Sequence, residues 1–559
     1  MQKIYLGQLI ACLLFTSSAC KRELIQSGAT PVKGAQHLLS KNQINSHIIS
    51  ILNVKNNFKW ADASPQIIWS ALNYSNNVLS IGYKPQSWTN EQVDANLHLI
   101  DIESQEWQEA KKQILRLVWE EERKNKPNLK IEELEIYPQK HLPVICVSVY
   151  NLNTVEKLRR SALIRYAEPM SYTISERQGD QLQSALSNLG CNRANPYKGV
   201  LVDSIDYTLI QPNSKMSWNY AHHYIPEAWK TSTGKGVKVM VIDTGCSLNQ
   251  ENLQSQFNQG RSVGRTVEHL VTLRNIIEYH PERFSKERGT PIGRKHAIRN
   301  DSPEALGDFC GHGTMMAGVI AAPRGTDGSA CGIAYNCDLV TVKATQDVFI
   351  STDTEILSVI DAFNLAANRQ DIKIISMSLG TPFRESMLAD AIKKAANSGK
   401  LIFCAAGTAH ESFKVTKHWG VVFPASMPEV IAVTGIKDNL REACDVCHEG
   451  PEIDFVAVVQ RSSKKFLSLT LATSGDIPAV DGGSSVATAM MAGMAAIVWS
   501  KYPNKSASEI LRILKASSTN PNKNIYWGSG ILDAYKALSF DGIFGPGESL
   551  KSSVTRPKY

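Results

Sequence analysis

Five short apolar runs, each followed by a helical stretch, constrain this fold more than any other feature of the sequence. A repeated order of strand and then helix predicts a parallel sheet that helices cover on both faces. The predicted strands are Val237–Ile242, Leu339–Val342, Ile372–Met377, Leu401–Ala405 and Val430–Val433. In such a sheet a functional cleft lies at the carboxyl ends of the strands. The side chains that follow these strands are therefore the first candidates for chemistry.

Three short motifs stand at strand ends or helix starts of this predicted sheet. Asp243 follows the first strand and precedes Thr244-Gly245, a turn that can aim a carboxylate into a cleft. His312 opens a run of small and apolar residues that predicts a fully buried helix. Ser485 follows Gly482-Gly-Ser484 and opens a second such run, where its own N–H is free. Each motif alone also fits a purely structural role, such as a structural histidine or a helix cap.

Together the three side chains match what covalent catalysis by a serine needs. A weak nucleophile needs a general base, and the base needs a carboxylate that orients it. A helix N-terminus also stabilises negative charge on an attacked carbonyl oxygen. The chain order Asp243, His312, Ser485 is that of the subtilisin-type triad.

Residues 216–540 resemble the catalytic domain of the subtilases, the subtilisin-like serine peptidases. The resembling blocks are Ala228–Gly245, Gly332–Lys343, Ile375–Gly380, Phe423–Val433 and Gly528–Leu538. The resemblance implies a three-layer α/β/α fold with a central parallel sheet. It implies that Asp243 orients the base, that His312 acts as base and then acid, and that Ser485 is the nucleophile. The substrates would be proteins or peptides, and catalysis would need no cofactor.

The resemblance also implies which residues contact the substrate. The backbone of Ser378, Leu379 and Gly380 would pair with the substrate as an added strand. A second set would line the pocket for the side chain before the scissile bond: Ala405, Ala406, Gly407 and Val422. Valine in place of the family's usual glycine predicts a narrower pocket for small or medium side chains. The alternative for Val422 is a residue of the core.

The sequence departs from the family pattern beside the nucleophile. Thr408 stands where the family has an asparagine that donates to the oxyanion, and losing such a donor costs about 10²–10³ in kcat. The backbone N–H of Ser485 remains as the other donor. Three alternatives therefore stay open: an active endopeptidase, a processing peptidase for one partner, and a catalytically weak subtilase-fold scaffold.

The amino-terminal residues predict export. Lys3 and the apolar run Ile4–Phe15 indicate a signal over residues 1–19, too short to span a bilayer. Ser17-Ser-Ala-Cys20 loosely resembles a lipoprotein box, which predicts a lipid on Cys20 and a membrane-anchored protein facing the periplasm or the cell surface. The alternative is an ordinary signal cut near Ala19 and a secreted protein. Residues 20–48 would be a tether.

A small α+β unit is predicted over residues 49–175. It contains a helical pattern at Ser104–Glu122, a strand at Pro143–Tyr150 and a helix capped by Asn153 or Thr154. The unit is similar to the family's inhibitory propeptide, which implies synthesis as a zymogen. Residues 176–215 would be a connector, and residues 541–559 a polar tail.

Eleven cysteines fit an exported protein. Apart from Cys12 in the signal and the lipidation candidate Cys20, nine remain, so at least one is free or bonded to another chain. Two candidate disulfides are Cys331–Cys337, which brackets a short loop, and Cys246–Cys310, which flanks the interval between Asp243 and His312. Free thiols are the alternative for the second pair. Cys444-Asp-Val-Cys447-His448 formally matches a haem attachment pattern, but a local disulfide or free thiols fit one short match better.

The charge distribution and the possible metal ligands do not identify a further partner or cofactor. The net charge is +7, from 60 basic and 53 acidic residues, which does not indicate a nucleic-acid partner. Nine basic and four acidic residues fall in Arg261–Arg299, either a solvated loop or an exosite that favours acidic substrates or an anionic surface. The histidines show no zinc-ligand spacing. Subtilases often carry structural calcium, but no carboxylate cluster assigns a site here, and Asn252 stands at one of the family's acidic ligand positions.

Overall fold

A computed structural model describes residues 37–55, 58–172, 191, 204–274, 306–409, 420–463 and 467–540. The predicted signal, the lipidation candidate Cys20 and the polar tail lie outside these ranges. Within them, the strands in chain order are β1 Val78–Tyr83, β2 Val144–Ser148, β3 Ile164–Pro169, β4 Tyr207–Ile210, β5 Ser214–Ser217, β6 Lys238–Asp243, β7 Val267–Val271, β8 Asp338–Lys343, β9 Ile372–Met377, β10 Leu401–Ala405, β11 Ile431–Lys437, β12 Ile453–Gln460, β13 Ser468–Thr470, β14 Ala479–Asp481, β15 Ser518–Thr519 and β16 Ile531–Leu532.

The helices follow the same numbering from the amino terminus. They are α1 Lys41–Lys55, α2 Pro65–Leu72, α3 Asn90–Asn96, α4 Gln105–Glu122, α5 Leu152–Arg160, α6 Ile225–Ala228, α7 His312–Ala321, α8 Asp353–Asn368, α9 Ser386–Asn397, α10 Gly483–Lys501, α11 Ala507–Ala516 and α12 Ala534–Leu538. We call α7 the histidine helix and α10 the serine helix.

A nine-stranded sheet forms the centre of the carboxyl-terminal part, in the order β15-β16-β12-β11-β10-β9-β6-β8-β7. All its neighbours pair in parallel except β15 and β16. The chain enters the sheet at β6, adds β7 and β8 on one side, and then crosses to β9 on the other. This reversal beside β6 opens a crevice at the carboxyl ends of the strands. The predicted α/β fold with a covered parallel sheet is confirmed.

Both faces of the sheet are buried, which explains its uninterrupted apolar strands. Along β6, Val239 and Val241 pack in one core cluster with the histidine and serine helices, while Met240 and Ile242 pack in a second cluster with α8 and α9. Successive side chains of a strand point to opposite faces, so a strand between two helix layers needs apolar residues at every position.

The serine helix is the one described helix that is long and apolar enough to cross a membrane. Its apolar window is 89% buried inside the protein. Such burial on all sides is expected of a helix in the centre of a core.

An antiparallel sheet, β2-β1-β3, and helices α1–α5 form the amino-terminal unit. Helix α4 matches the predicted helix. The unit begins earlier than residue 49, because α1 starts at Lys41 and buries Ile44 and Ile48 completely, so the predicted tether is shorter. Helix α5 is capped by Asn151, whose side chain accepts from the N–H of Asn153, rather than by Asn153 or Thr154.

The amino-terminal unit packs on α9 through a buried polar contact. Arg165 donates to both carboxylate oxygens of Asp390, at 2.6 and 2.9 Å, and the two side chains are 5% and 3% exposed. The hydroxyl of Tyr166 donates to the same carboxylate at 2.9 Å. Two residues after Tyr166, Glu168 accepts from the N–H and the hydroxyl of Ser386, at 3.1 and 2.6 Å, at the start of α9.

Candidate active site

Asp243 is the last residue of β6 and is fully buried. Its Oδ1 accepts a hydrogen bond from the N–H of Thr244 at 2.8 Å and lies 2.8 Å from Nδ1 of His312. Gly245 then turns the chain with a φ of +112°, a conformation that glycine adopts without strain. The strand end therefore brings the predicted carboxylate and the predicted base into contact.

His312 is the first residue of the histidine helix, and the helix start is packed directly on the Asp243 turn. The N–H of Gly313 donates to Oγ1 of Thr244 at 2.9 Å. A Cβ on Gly313 would lie 2.3 Å from the carbonyl oxygen of Gly245, so only glycine permits this approach. The close packing holds the imidazole in front of the carboxylate.

Asp308 joins the two motifs and was not found by sequence reasoning. Its Oδ1 accepts from the hydroxyl of Thr244 at 2.9 Å and from the N–H of Gly311 at 2.7 Å. Its Oδ2 accepts from the N–H and the hydroxyl of Thr314, at 2.8 and 2.7 Å. The only signal in the sequence is an acidic residue four positions before the histidine. Asp308 thus ties the Asp243 turn to the first turn of the histidine helix.

The electrostatic environment of His312 favours its protonated form. Burial opposes the charge, but the negative charge of Asp243 and the hydrogen bond to it outweigh burial, and Asp481 and Asp308 act in the same direction. The pKa of His312 is therefore raised above the usual 6.5. An imidazole stabilised in this way accepts a proton readily, as a general base must.

Ser485 is the one residue between Gly483 and Trp499 that is not buried. Gly483, at the start of the helix, has a φ of +75°. Ser485 lies in the first helical turn, where backbone N–H groups lack a partner within the helix. Its Oγ makes no hydrogen bond to any residue that the structure describes. The Asp243–His312 bond is thus formed, whereas a bond between His312 and Ser485 is not.

Thr408 lies against the residue before the nucleophile. Its Oγ1 is 2.9 Å from Oγ of Ser484 and accepts from the N–H of Ser484 at 3.3 Å. Oγ of Ser484 in turn accepts from the N–H of Gly407 at 3.2 Å. The Thr408 hydroxyl is therefore bonded to the start of the serine helix.

A neighbouring loop holds the segment that carries Thr408. Thr408 forms an antiparallel bridge with Cys447. The N–H of Ala409 donates to Val446 at 2.7 Å, and the N–H of His448 donates to Gly407 at 3.0 Å. A disulfide between Cys444 and Cys447 closes this loop, so the local disulfide is found at the haem-like pattern.

The predicted substrate-binding residues lie next to the nucleophile. Oγ of Ser378 donates to the carbonyl of Ser485 at 3.1 Å. Leu379 is buried, at 1% exposure, and the backbone of Gly380 is paired with another part of the same chain. The expectation that all three residues offer a free edge to substrate therefore does not hold at Gly380.

The residues predicted to line the side-chain pocket lie around Val422. The N–H of Val422 donates to Ala406 at 3.0 Å, and a Cβ placed on Gly380 would lie 2.9 Å from Cγ2 of Val422. Ala405 and Ala406 are buried beside it, and Gly407 has a φ of +122° with its Cα against the ring of His448. Val422 thus lies between two predicted substrate-contacting segments, only partly buried.

Both disulfides suggested by the sequence are wrong. Cys310 is bonded to Cys191 in the connector, 119 residues earlier, which leaves Cys246 as a buried free thiol. Cys331 and Cys337 are also free, and Sγ of Cys331 lies 3.4 Å from the carbonyl of Gly332. Closeness in sequence does not decide whether two Cβ atoms face each other, which a disulfide requires.

Two of the three described basic residues of the segment are held by the protein itself, and the other six lie outside the described ranges, so the exosite stays a prediction. Arg265 is buried and donates to the carbonyls of Phe257 and Ala321, while Arg274 pairs with Asp361 at 2.6 Å. Of the nine basic residues only Arg261, Arg265 and Arg274 lie inside the described ranges. No group of three or more His, Cys, Asp or Glu able to hold a metal occurs among the described residues, and Asn252 is buried.

Comparison with known proteins identifies the family. The model of the subtilase family (Peptidase_S8) matches residues 234–545, more than half of the chain. The major intracellular serine protease of Bacillus subtilis (strain 168) is 32% identical over 263 residues, 46% of this chain and 70% of that protein. Thermitase of Thermoactinomyces vulgaris is 25% identical over 316 residues, 56% of this chain and 93% of that protein.

Among solved structures, a crystal structure of MycP1 with its N-terminal propeptide removed has a TM-score of 0.42 and 24% identity, covering 58% of this chain and 99% of that one. The family model spans β6, which carries Asp243, and the two helices that carry His312 and Ser485. This chain belongs to the subtilase family of serine peptidases.

Proposed function

We propose that this protein is a serine endopeptidase that acts through Asp243, His312 and Ser485. The observation that carries the proposal is the 2.8 Å contact between the buried Asp243 and His312, together with Ser485, the one residue between Gly483 and Trp499 of the serine helix that is not buried. Family membership supports the same activity.

The chemistry follows from these positions. Oγ of Ser485 attacks the substrate carbonyl while Nε2 of His312 takes its proton, and Asp243 stabilises the imidazolium that forms. The N–H of Ser485 donates to the oxyanion. His312 then passes the proton to the leaving amine, and an acyl-enzyme remains on Ser485. Water, activated by the same imidazole, hydrolyses the ester and restores the serine.

A fluorophosphonate probe tests this function. The full chain, allowed to mature, is expected to be labelled at Ser485, and Ser485→Ala is expected to lose both labelling and peptide cleavage. Ser484→Ala is the matched control, because it changes the neighbouring hydroxyl and keeps the nucleophile. Absence of labelling in a folded, matured protein would sink the proposal.

The amino-terminal unit is proposed to be an inhibitory propeptide, so that the enzyme is made as a zymogen. The buried Arg165–Asp390 pair and the Glu168–Ser386 contact support a specific docked position on the catalytic part. The unit is expected to leave after a cut in the connector. Mass spectrometry of the matured protein tests this, and retention of an uncut, fully active chain would contradict it.

We also propose that the protein is exported and anchored by a lipid on Cys20. The apolar leader and the small residues before the cysteine support this. Cys20→Ser is expected to abolish incorporation of a labelled fatty acid, with Cys12→Ser as the matched control. Equal labelling of the Cys20→Ser variant would refute the anchor.

A second candidate function is a subtilase-fold binding protein with little turnover. The observation that favours it is the Thr408 hydroxyl, which is bonded to Ser484. If purified wild-type protein cleaves peptides well and Ser485→Ala does not, this second candidate fails. Cleavage confined to a single partner peptide would instead indicate a processing peptidase.

A further inference from the structure

The backbone of Gly380 is already hydrogen-bonded to another part of the chain. Its N–H donates to the carbonyl of Val348 at 3.2 Å, and its carbonyl accepts from the N–H of Ile350 at 3.0 Å. Phe349 and Gly380 thus form a parallel bridge. We call residues 348–350 the edge segment. Both backbone groups that Gly380 could offer to a substrate are in use.

The opposite side of the same stretch shows which substrate residue the edge segment displaces. Thr381 pairs with Phe423, with hydrogen bonds of 2.8 and 3.0 Å in the two directions. Neighbouring residues of an extended chain direct their backbone groups to opposite sides, so Ser378 and Gly380 share the side that faces the edge segment.

The position of Ser378 then sets the register. Its hydroxyl contacts the carbonyl of Ser485, so a substrate residue paired with Ser378 is the one before the scissile bond, P1. Gly380 is two residues further along, level with the substrate residue two positions earlier, P3. The edge segment therefore occupies the N–H and the carbonyl of Gly380 that would otherwise pair with P3.

The edge segment is anchored at its carboxyl end and has a local hydrogen bond at its amino end. Ile350 is 2% exposed and packs in the core cluster that contains α8. After it, Glu355 accepts from the N–H of Ser351 at 3.0 Å. Before it, Oδ1 of Asp347 accepts from the N–H of Val348 at 2.6 Å. The burial of Ile350 and the Ser351–Glu355 hydrogen bond hold the edge segment beside Gly380.

We propose that the edge segment closes the P3 subsite, so that this peptidase recognises peptides through P1 and P2 alone. The inference rests on the proposed function and narrows its substrate class. A substrate that adds no strand at P3 need not be extended there, so bonds in short or tightly turned segments are accepted.

A series of peptides tests the proposal on the matured enzyme. The probes are acetylated alanine p-nitroanilides with one to four residues before the anilide. We expect kcat/KM to rise from one residue to two and then to stay within about threefold up to four. Two neutral hydrogen bonds at P3 would give a rise on the order of 30-fold. A rise of that size between two and four residues overturns the proposal.

Variants of Ile350 test the cause. Ile350→Pro removes the N–H that donates to Gly380, and the third residue is then expected to raise kcat/KM by at least about fivefold. Ile350→Val is the matched control, because it keeps the N–H and the apolar burial, and it is expected to behave like the wild type. A folded Ile350→Pro enzyme that still ignores the third residue contradicts the proposal.

Amide hydrogen exchange provides a test that needs neither catalysis nor the proline variant. In the full-length Ser485→Ala protein, the amides of Ile350 and Gly380 are expected to exchange slowly, because both are hydrogen-bonded. Exchange at the rate of an unstructured loop overturns the edge segment. If no peptide is cut and Ser485 is not labelled, the proposed function fails, and the exchange rates still decide whether the P3 subsite is closed.

Discussion

Thr408 offers the sharpest test of how this site stabilises the oxyanion. Its hydroxyl makes two contacts with Ser484, at 2.9 and 3.3 Å, and we infer that it does not serve as an oxyanion donor. Thr408→Val keeps the shape and removes the hydroxyl. Each neutral hydrogen bond contributes about 0.5–1.5 kcal/mol net, so the variant is expected to lose about 1–3 kcal/mol of stability. Its kcat is expected to stay within about threefold of the wild type, since no donor to the transition state is removed.

Thr408→Asn tests the same reasoning in the opposite direction. An amide at this position extends beyond the hydroxyl and adds a donor, which raises kcat by up to about 10²–10³, or about 3–4 kcal/mol of transition-state stabilisation. KM is expected to change little, because the donor acts on charge that develops only in the transition state.

The assay measures kcat and KM with a chromogenic peptide, and fluorophosphonate titration gives the concentration of active sites. Melting temperatures of all three proteins separate lost folding from lost chemistry. If Thr408→Val loses about 10²-fold or more in kcat and retains its melting temperature, the hydroxyl is an oxyanion donor and the reasoning is refuted. The same conclusion follows if Thr408→Asn brings no gain.

Four further outcomes are expected. His312 must be neutral to accept a proton, so kcat/KM is expected to rise with pH along a limb above 6.5. In Asp243→Asn only Asp481 and Asp308 still oppose the effect of burial on the pKa of His312, so the limb moves to lower pH, whereas equal limbs would contradict the Asp243 contribution. Because the pKa of His312 is raised in the folded protein, protonated His312 stabilises the fold fully below about pH 6, and this stabilisation is lost as pH rises through the folded pKa. Asp243→Asn is therefore expected to lower the melting temperature more at acidic than at alkaline pH. Arg165→Met leaves Asp390 buried without its cationic partner and is expected to cost about 3–5 kcal/mol in urea unfolding of the Ser485→Ala chain. Asp94→Asn, with a side chain 37% exposed, is expected to cost less than about 1 kcal/mol, and equal costs would refute the buried pair. Replacing Cys444 and Cys447 by serine is expected to lower kcat/KM about tenfold, because the segment of Gly407 and Thr408, which is bonded to the residue before the nucleophile, loses its support; an unchanged kcat/KM would contradict this.

The sheet could be predicted because its strands are buried on both faces. A run such as Val237–Ile242 carries an apolar residue at nearly every position, and this pattern can be recognised without knowing which strands lie beside it. The positions of Asp243, His312 and Ser485 followed, since each stands at a strand end or a helix start. Helix α1 was predictable in principle, because Ile44 and Ile48 are spaced by one helical turn.

The features that sequence reasoning missed depend on contacts between distant segments. Asp308 is one acid in a polar loop, and its role exists only where the Asp243 turn meets the histidine helix. The edge segment has no periodic pattern, and its pairing is decided by where the end of β9 lies. Cys191 stands in a polar connector, 119 residues from its partner, so its spacing carried no information.

Because of the Cys191–Cys310 disulfide, the position of the maturation cut decides whether the amino-terminal unit stays covalently attached. A cut in the connector before Cys191 yields an amino-terminal unit held by non-covalent contacts alone, which dissociates at a rate set by its docking surface. A cut after Cys191 yields a two-chain molecule in which the same unit remains joined through sulfur, two residues from His312. In the second case proteolysis alone cannot free the cleft. The amino-terminal unit is released only where the surroundings are reducing enough to break the disulfide.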